Sequence, residues 1–136
     1  MTLDQIEFLQ TFDHYYHESM DSLPDGWIGP LVDMLQTIRQ LSLVEPVVRP
    51  LVEVWVSLRI EHGPSGALAY AAPLLPIKHW SPERALACVE ALSTFTFAVQ
   101  ETCSVCGHPG HLRFGNGREE RVVCDDHNEQ RNAREQ

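Results

Sequence analysis

The first 38 residues of this 136-residue chain contain no lysine and no arginine. They hold seven carboxylates, and the whole chain has a formal net charge of −9. Because a phosphate backbone is repelled by such a surface, we do not expect the N-terminal part to bind nucleic acid. Two interpretations stay open: a solvated surface that favours solubility, or a docking surface for a basic partner. The seven carboxylates are Asp4, Glu7, Asp13, Glu18, Asp21, Asp25 and Asp33.

Long apolar runs are also missing, since no stretch of about 18 residues is apolar enough to predict a transmembrane helix. The first ten residues, MTLDQIEFLQ, have neither the basic nor the apolar region of a secretory signal. There is no glycine-rich loop of the kind that binds phosphate, because Gly63 and Gly66 belong to an ordinary turn. We therefore expect a cytoplasmic protein, in which thiols stay reduced.

The apolar pattern predicts an α+β fold with three helices before the cysteine-rich end. Spacings of three and four predict a helix over residues 2–20, with Thr2 and Gln5 as its capping box. A second helix is predicted over residues 30–41, and a third begins with Ser81 as its N-cap. The side chains expected to be buried are Leu3, Ile6, Leu9, Phe12, Tyr16 and Met20, then Trp27, Leu31, Leu35 and Ile38, then Leu86, Val89, Leu92, Phe95 and Val99.

Residues 52–61 alternate between apolar and mostly polar side chains, which predicts a strand covered on one side only. Residues 67–72 are expected to return as its antiparallel partner. Trp55 and Arg59 fall on the outer face of this strand, where they form a candidate contact site for a partner. The alternative is that Trp55 packs under a helix. Cys88 lies beside the apolar stripe of the third helix and is interpreted as a buried structural thiol.

Three acidic residues in or directly after the first predicted helix, Asp13, Glu18 and Asp21, are candidate partner-binding residues. In a helix they would share one side with His14 and His17 at spacings that also suit a weak metal site. A solvated face is the other interpretation of the same residues.

Three of the four cysteines lie near the C-terminal end, as Cys103 and Cys106, then Cys124 with His127. The pattern is Cys-x2-Cys, seventeen residues, Cys-x2-His. Two such pairs supply four ligands for tetrahedral Zn²⁺ and leave a single loop to close. Three thiolates and one imidazole complete the coordination shell, so the sequence predicts one structural Zn²⁺ rather than a catalytic one. His108 and His111 are possible substitutes for His127.

Glycines and short apolar segments around the cysteines predict the local structure of this module. Gly107 permits the left-handed turn that a Cys-x2-Cys knuckle needs, and Gly115-Asn116-Gly117 predicts a hairpin turn. A helix is expected to begin after Cys124, with carboxylates in its first turn. Knuckle, hairpin and helix together resemble a treble-clef zinc finger.

We expect residues 1–100 to form an α+β domain and residues 101–136 a zinc module packed on it.

The knuckles also resemble those of the HNH nuclease family, which often embeds its active site between two such pairs. Cys-x2-Cys-Gly followed by Val-Cys-x2-His-Asn has that form. Such enzymes need a histidine base and further histidine or asparagine ligands between the knuckles. Here the only histidines of the interval are His108 and His111, and it contains no Asp-His-His run. The resemblance therefore implies the same kind of finger without the nuclease chemistry.

More of the chain resembles a group of short uncharacterised bacterial and phage proteins. The shared features are Asp25-Gly26-Trp27 opening a helix, a strand ending in Leu58-Arg59-Ile60, and a helix that runs into Thr102-Cys103-x2-Cys106-Gly107-x-Pro109-Gly110-x-Leu112-Arg113 and a closing Cys-x2-His. The cysteine segment matches closely and the first 100 residues match loosely; the Gly-Gly that usually precedes the Leu-Arg is absent. The resemblance implies one zinc-finished α+β domain and carries no function.

These observations favour a non-enzymatic, zinc-stabilised interaction protein. One concrete form is a phage-encoded inhibitor or adaptor that docks its acidic face on a basic, nucleic-acid-handling host complex. The alternatives are a nucleic-acid-binding regulator that uses the zinc finger, and a degenerate HNH-type nuclease. Residues 101–136 have five arginines against seven carboxylates, which disfavours direct DNA binding.

Overall fold

The structure, a computed structural model, describes residues 1–44, 55–74, 80–114 and 120–133. Within these residues the predicted α+β fold is confirmed, with four α-helices and two two-stranded antiparallel sheets. The elements are α1 (Leu3–Gln10), α2 (Ile28–Val44), β1 (Val56–Gly63), β2 (Gly66–Pro73), α3 (Pro82–Gln100), β3 (His111–Arg113), β4 (Arg121–Val123) and α4 (Asp125–Ala133). The predicted strand start at residues 52–54 and the Gly115-Asn116-Gly117 turn lie outside the described residues.

The first helix begins as predicted but is much shorter than residues 2–20. The capping box is confirmed, since the Thr2 hydroxyl accepts the Gln5 N–H at 3.1 Å and the Gln5 side chain accepts the Thr2 N–H at 3.0 Å. The helix ends at Gln10, and the Thr11 hydroxyl donates to the carbonyl of Phe8 at 2.6 Å. A hydroxyl that binds the preceding turn in this way competes with continuation of the helix.

Residues 11–27 form short 3-10 turns instead of helix, at Asp13–Tyr15, Glu18–Met20 and Asp25–Trp27. Asp13 has a φ of 55°, in the left-handed region that aspartate tolerates better than most residues. Ser19 accepts the backbone N–H of Ile60 at 3.0 Å, so this segment covers the edge of β1. The contact with β1 is made by turns rather than by a helix. The spacing of apolar residues, on which the helix prediction was based, carries no information about such a contact.

Shortening the first helix changes which of its side chains are buried. Leu9, Phe12 and Met20 are buried as expected, while Ile6 and Tyr16 are half-buried. The burial of Leu3 was wrongly predicted, since its side chain is 80% exposed. Leu3 and Leu9 lie six residues apart in the same helix, about 120° around its axis, so the side that buries Leu9 leaves Leu3 toward solvent.

The α2 helix provides the centre of the core, as predicted. Trp27, Leu31, Leu35 and Ile38 are all fully buried. Pro30 lies in the first turn, where its missing N–H costs no helical hydrogen bond.

The α3 helix begins as predicted but turns a different face inward. The Ser81 hydroxyl accepts the N–H of Arg84 at 3.1 Å and caps the helix. Phe95 and Val99 are buried as expected, but Leu86 and Val89 were wrongly assigned to the core. The helix packs between α2 and β2, and these two contacts select the inward face. Its buried residues are Arg84, Cys88, Ala91, Phe95 and Val99. The buried position of the Cys88 thiol is therefore confirmed.

The β1–β2 hairpin confirms the predicted antiparallel pair. Val56 pairs with Pro73 at one end, and Gly63 pairs with Gly66 at the turn. The alternation of β1 is also confirmed: Val56, Leu58 and Ile60 are buried, whereas Ser57, Arg59 and Glu61 are exposed. One face of the sheet therefore covers the core and the other faces solvent.

Trp55 departs from the predicted alternation and lies in the core, with 0% of its surface exposed. It precedes β1, so the pleat does not fix its direction. Its indole N–H donates to the carbonyl of Ile38 at 3.1 Å, its ring lies 4.8 Å from that of Trp80, and the Arg84 guanidinium stacks 4.4 Å above it. These three contacts hold the Trp55 side chain in the core, although the alternation predicts that it faces solvent. Trp55 is therefore packed in the interior, as the alternative interpretation has it.

Among the described helices, none combines the length and the apolar character needed to cross a membrane.

The core extends into the C-terminal region, because Val122 of β4 belongs to the same buried apolar cluster as Leu31 and Phe95.

The core position of Trp55 predicts that Trp55→Ala lowers the free energy of unfolding by about 3–5 kcal/mol, the usual cost of truncating a buried aromatic residue. Arg59→Ala is the control, because Arg59 lies on the outer sheet face and its loss should cost less than about 1 kcal/mol. Urea unfolding followed by circular dichroism measures both. Similar stabilities for the two variants would contradict the core position of Trp55.

Candidate metal centre

The two cysteine pairs predicted from their spacing converge in the structure. One ligand atom from each of Cys103, Cys106, Cys124 and His127 lies within 4.8 Å of all the others. The Cys106 and Cys124 sulfurs are 3.7 Å apart, and the Cys103 sulfur is 3.6 Å from the His127 Nδ1. A tetrahedral ion with bonds of about 2.3 Å to sulfur and 2.0 Å to nitrogen separates its ligands by about 3.5–3.8 Å. The four side chains can therefore bind one metal ion.

A tight turn after α3 presents the first pair. The N–H of Cys103 donates to the carbonyl of His108 at 2.7 Å, and the N–H of Gly107 donates to the carbonyl of Cys103 at 3.0 Å. Gly107 has a φ of +80°, which confirms the predicted left-handed turn. A side chain would be strained in this conformation, so glycine closes the knuckle.

A second small sheet and α4 present the other pair. His111 in β3 is paired with Val123 in β4, and Cys124 follows directly. The N–H of Asn128 donates to the carbonyl of Cys124 at 2.9 Å, which forms the first turn of the helix and brings His127 back beside Cys124. The sequence predicted this order of knuckle, hairpin and helix. Which imidazole nitrogen faces the thiols was not predictable, and the structure selects Nδ1.

An ion pair joins this helix to the hairpin. The Arg113 guanidinium in β3 binds the Asp125 carboxylate at the start of α4. That hydrogen bond, together with the positive charge of Arg113, lowers the pKa of Asp125 below its ordinary value. The carboxylate also lies in the first helical turn, where the helix dipole favours it.

Backbone groups stabilise a thiolate at the centre of the cluster. Burial of Cys103 opposes its ionisation, but the N–H groups of Cys106, Cys124 and Val105 point at its sulfur and lower the pKa of the thiol to about 6. Around Cys106 the N–H of His108 acts in the same direction, yet burial and the neighbouring thiols of Cys103 and Cys124 raise its pKa. Several thiolates at such distances repel one another, and a bound cation removes that repulsion.

The segment before α2 packs directly against the knuckle. The N–H of Gly26 donates to the carbonyl of Ser104 at 2.9 Å, and the Trp27 indole N–H donates to the carbonyl of Thr102 at 3.0 Å. A Cβ on Gly26 would lie 2.1 Å from the Cys103 carbonyl oxygen, so only glycine fits. The cluster of four candidate ligands is thereby attached to the N-terminal half of the core.

Sequence reasoning did not assign this docking role to Gly26 and Trp27. The sequence predicts that Trp27 is buried, and Asp25-Gly26-Trp27 carries part of a resemblance, but neither observation predicts a contact with the knuckle. A glycine followed by a tryptophan at the start of a helix is compatible with many contacts, and its partner lies more than 70 residues away in the chain.

The other predicted metal ligands do not join a cluster among the described residues. His108 and His111 are exposed and lie outside the four-residue cluster, so His127 fills the fourth position. His14 and His17 do not gather with carboxylates, because the helix that would align them is replaced by turns. The His17 Nδ1 instead accepts the N–H of Ser19 at 3.0 Å.

The predicted partner-binding residues occupy different environments. Asp13 and Glu18 are exposed, whereas Asp21 is half-buried and accepts a hydrogen bond from the Tyr16 hydroxyl. Arg59 is exposed, with its guanidinium 5.1 Å from the Tyr70 ring centroid and an ion pair to Glu61 at 3.5 Å. Trp55 is buried and presents no surface. Whether the four accessible residues contact a partner stays a prediction.

Comparison of the chain with family models, curated proteins and solved structures gives no match. The site therefore has to be interpreted from its own geometry.

The contact at Gly26 predicts a strong effect of Gly26→Ala. The added methyl group would collide with the knuckle backbone, so we expect a stability loss of about 1–3 kcal/mol or more, together with weaker metal binding. Gly29→Ala is the matched control, because its Cβ would meet nothing within 4 Å and it lies in α2. Alanine should stabilise that position by about 0.5–1 kcal/mol. Equal stability and equal metal affinity in the two variants would contradict the docking role.

Proposed function

We propose that the chain is a non-enzymatic, zinc-stabilised protein-binding module of the cytoplasm, where its thiols stay reduced. The observation that carries the proposal is the closed set of four ligands, three thiolates and one imidazole, within 4.8 Å of one another. Its acidic N-terminal surface is proposed to dock on a basic, nucleic-acid-handling host complex. A phage-encoded inhibitor or adaptor is the concrete form of this role that we favour.

Zinc suits this ligand set better than the other common metals. Thiolates and imidazole are soft or borderline ligands, which Zn²⁺ accepts in a tetrahedron, whereas Mg²⁺ and Ca²⁺ prefer oxygen. A closed shell leaves no position for a water nucleophile, so the metal would hold the fold rather than react. The ion would compensate for the small apolar core of a module of this length.

The zinc assignment predicts about one Zn²⁺ per chain, bound through three sulfurs and one nitrogen. Elemental analysis gives the stoichiometry, and X-ray absorption at the zinc edge gives the ligands. Cys124→Ser should lose most of the metal, whereas Cys88→Ser should keep it, because the Cys88 thiol is buried on α3. Metal content near zero in the metal-replete wild type would refute the assignment.

A nuclease activity is disfavoured by the environment of the two remaining histidines of the module. His108 and His111 are exposed and lie outside the cluster, and the described residues contain no second group of three potential ligands. An HNH-type reaction needs a second metal held near a histidine base. Direct DNA reading through the finger is disfavoured as well, because Arg113 is paired with Asp125.

We therefore expect no cleavage of supercoiled plasmid in the presence of Mg²⁺, Mn²⁺ or Zn²⁺. Agarose electrophoresis of the reaction measures nicking and linearisation. Cleavage that persists through purification and disappears in His108→Ala or His111→Ala would overturn the non-enzymatic proposal.

Exposed carboxylates support the docking surface. Glu7 and Glu18 are exposed, as are Asp4, Asp13, Asp25 and Asp33. The first basic residue, Arg39, places its guanidinium over the ring of Phe12 at 4.6 Å. Such a surface attracts a basic partner over about 8–10 Å at ordinary ionic strength.

Charge reversal at Glu7→Lys with Glu18→Lys tests the docking surface. Asp13 is avoided because its left-handed backbone disfavours lysine, and Asp21 because it binds Tyr16. We expect slower association with the partner isolated by pull-down, and wild-type binding that weakens as salt is raised.

The matched control is Glu101→Lys with Glu129→Lys, which makes the same charge change at exposed positions outside the first 38 residues. It should leave the association rate near that of the wild type. Equal rates for both double variants would show that only net charge matters and would contradict a localised docking surface.

A further inference from the structure

The outward face of α3 exposes three large apolar side chains. Leu86 is 60% exposed, Val89 is 59% exposed and Phe97 is 67% exposed. Their spacing places them on one side of the helix, opposite Cys88, Phe95 and the rest of the buried face. Monomeric soluble proteins rarely leave large apolar residues together at the surface without a binding role. We name Leu86, Val89 and Phe97 the α3 ridge.

A groove between α2 and α3 runs beside this ridge, with a volume of about 280 Å³. The two helices are antiparallel, because Trp27 before α2 contacts the residue Thr102 that follows α3. Met34 and Phe95 form apolar parts of its wall. Leu86 and Phe97 do not line the groove; they lie on the neighbouring strip of α3, on the outer side of Glu90. They are eleven residues apart, which corresponds to about 16 Å, or three helical turns. The groove and these two side chains together offer a contact surface about three helical turns long.

The charge of the groove is negative. Asp33 on the α2 side and Glu90 on the α3 side both line it, and both are exposed. Lysine, arginine and histidine are absent from the described residues that line it. Glu90 lies between Leu86 and Phe97 on α3, so an occupant that covers these apolar residues also approaches the carboxylate. That occupant must bring positive charge beside its apolar face.

This arrangement disfavours a second copy of the chain as the occupant. A two-fold pairing of α3 with α3 that set Leu86 against Phe97 would bring the two Glu90 carboxylates close to the axis. Like charges at the centre of an apolar contact weaken it.

We propose that the groove, with Leu86 and Phe97 of the α3 ridge at its edge, binds an amphipathic helix of a protein partner, with apolar residues at spacings of three and four and with lysine or arginine beside them. Such a helix lays its apolar face in the groove and places its cations near Asp33 and Glu90, a common mode of peptide recognition. The inference rests on the protein-binding role proposed above. It names a recognition element and a surface that the zinc site does not supply.

The probe is a synthetic 18-residue peptide with leucine on one helical face and lysine on both flanks of that face. A scrambled peptide of the same composition is its control. Fluorescence anisotropy at 150 mM salt measures the dissociation constants, and amide chemical shifts of ¹⁵N-labelled full-length chain locate the contact. We expect only the amphipathic peptide to bind measurably, with the largest shifts in residues that line the groove.

Two variants test the surface. Phe97→Ser should weaken peptide binding by about tenfold or more, as the loss of an aromatic anchor does. Phe114→Ser is the matched control, because Phe114 is 74% exposed in the C-terminal region and should leave binding unchanged. Asp33→Lys with Glu90→Lys should abolish binding of the lysine peptide. Circular dichroism checks that each variant is folded.

Several results would overturn the proposal: no binding of the amphipathic peptide, equal binding of the scrambled one, or equal affinity of Phe97→Ser and the wild type. Sedimentation that shows a wild-type dimer dispersed by Phe97→Ser would assign the ridge to a second copy instead. These outcomes are separate from the test of the proposed function, because zinc content and the Glu7→Lys with Glu18→Lys comparison do not involve the groove.

Discussion

The contact between Gly26 and the Cys103 knuckle is the constraint on which the rest of the structure depends. The backbones approach so closely that a Cβ would lie 2.1 Å from the Cys103 carbonyl oxygen. The Gly26 N–H and the Trp27 indole use this proximity to bind Ser104 and Thr102. The Cys103 knuckle is therefore held against the start of α2, and the fully buried Trp27 connects the knuckle to the apolar core.

This connection explains how a small chain combines two sources of stability. Apolar burial between α2, α3 and the β1–β2 hairpin forms one, and Val122 extends the same cluster into the second sheet. A metal bound by the four-ligand cluster would supply the other, since the described part of residues 101–133 holds few buried apolar side chains of its own. A bound metal would stabilise the folded state by mass action, and the Gly26 contact would pass part of that stabilisation to the rest of the protein.

Local chemistry made some features predictable from the sequence. The capping box at Thr2, the cap at Ser81 and the Cys-x2-Cys and Cys-x2-His pairs each depend on residues within a few positions of one another. The end of α1, the burial of Trp55 and the inward face of α3 depend on contacts with distant elements. On α3 the predicted stripe and the observed buried face both contain Phe95 and Val99. Only the packing of α3 against α2 and β2 determines which other side chains of the helix are buried. The contact between Gly26 and the knuckle was not predictable either, because it joins residues that are far apart in the sequence.

Native-state hydrogen exchange of the Gly26 amide, with and without metal, tests this account most directly. The amide donates to the carbonyl of Ser104, which lies between Cys103 and Cys106, and Gly26 itself is not one of the four candidate ligands. If the cluster and the core are coupled through this contact, removing the metal with a chelator accelerates exchange at Gly26 and at the Trp27 indole, while the Trp55 indole, which bonds to Ile38, changes less. Unchanged protection of Gly26 in the metal-free protein would contradict the coupling.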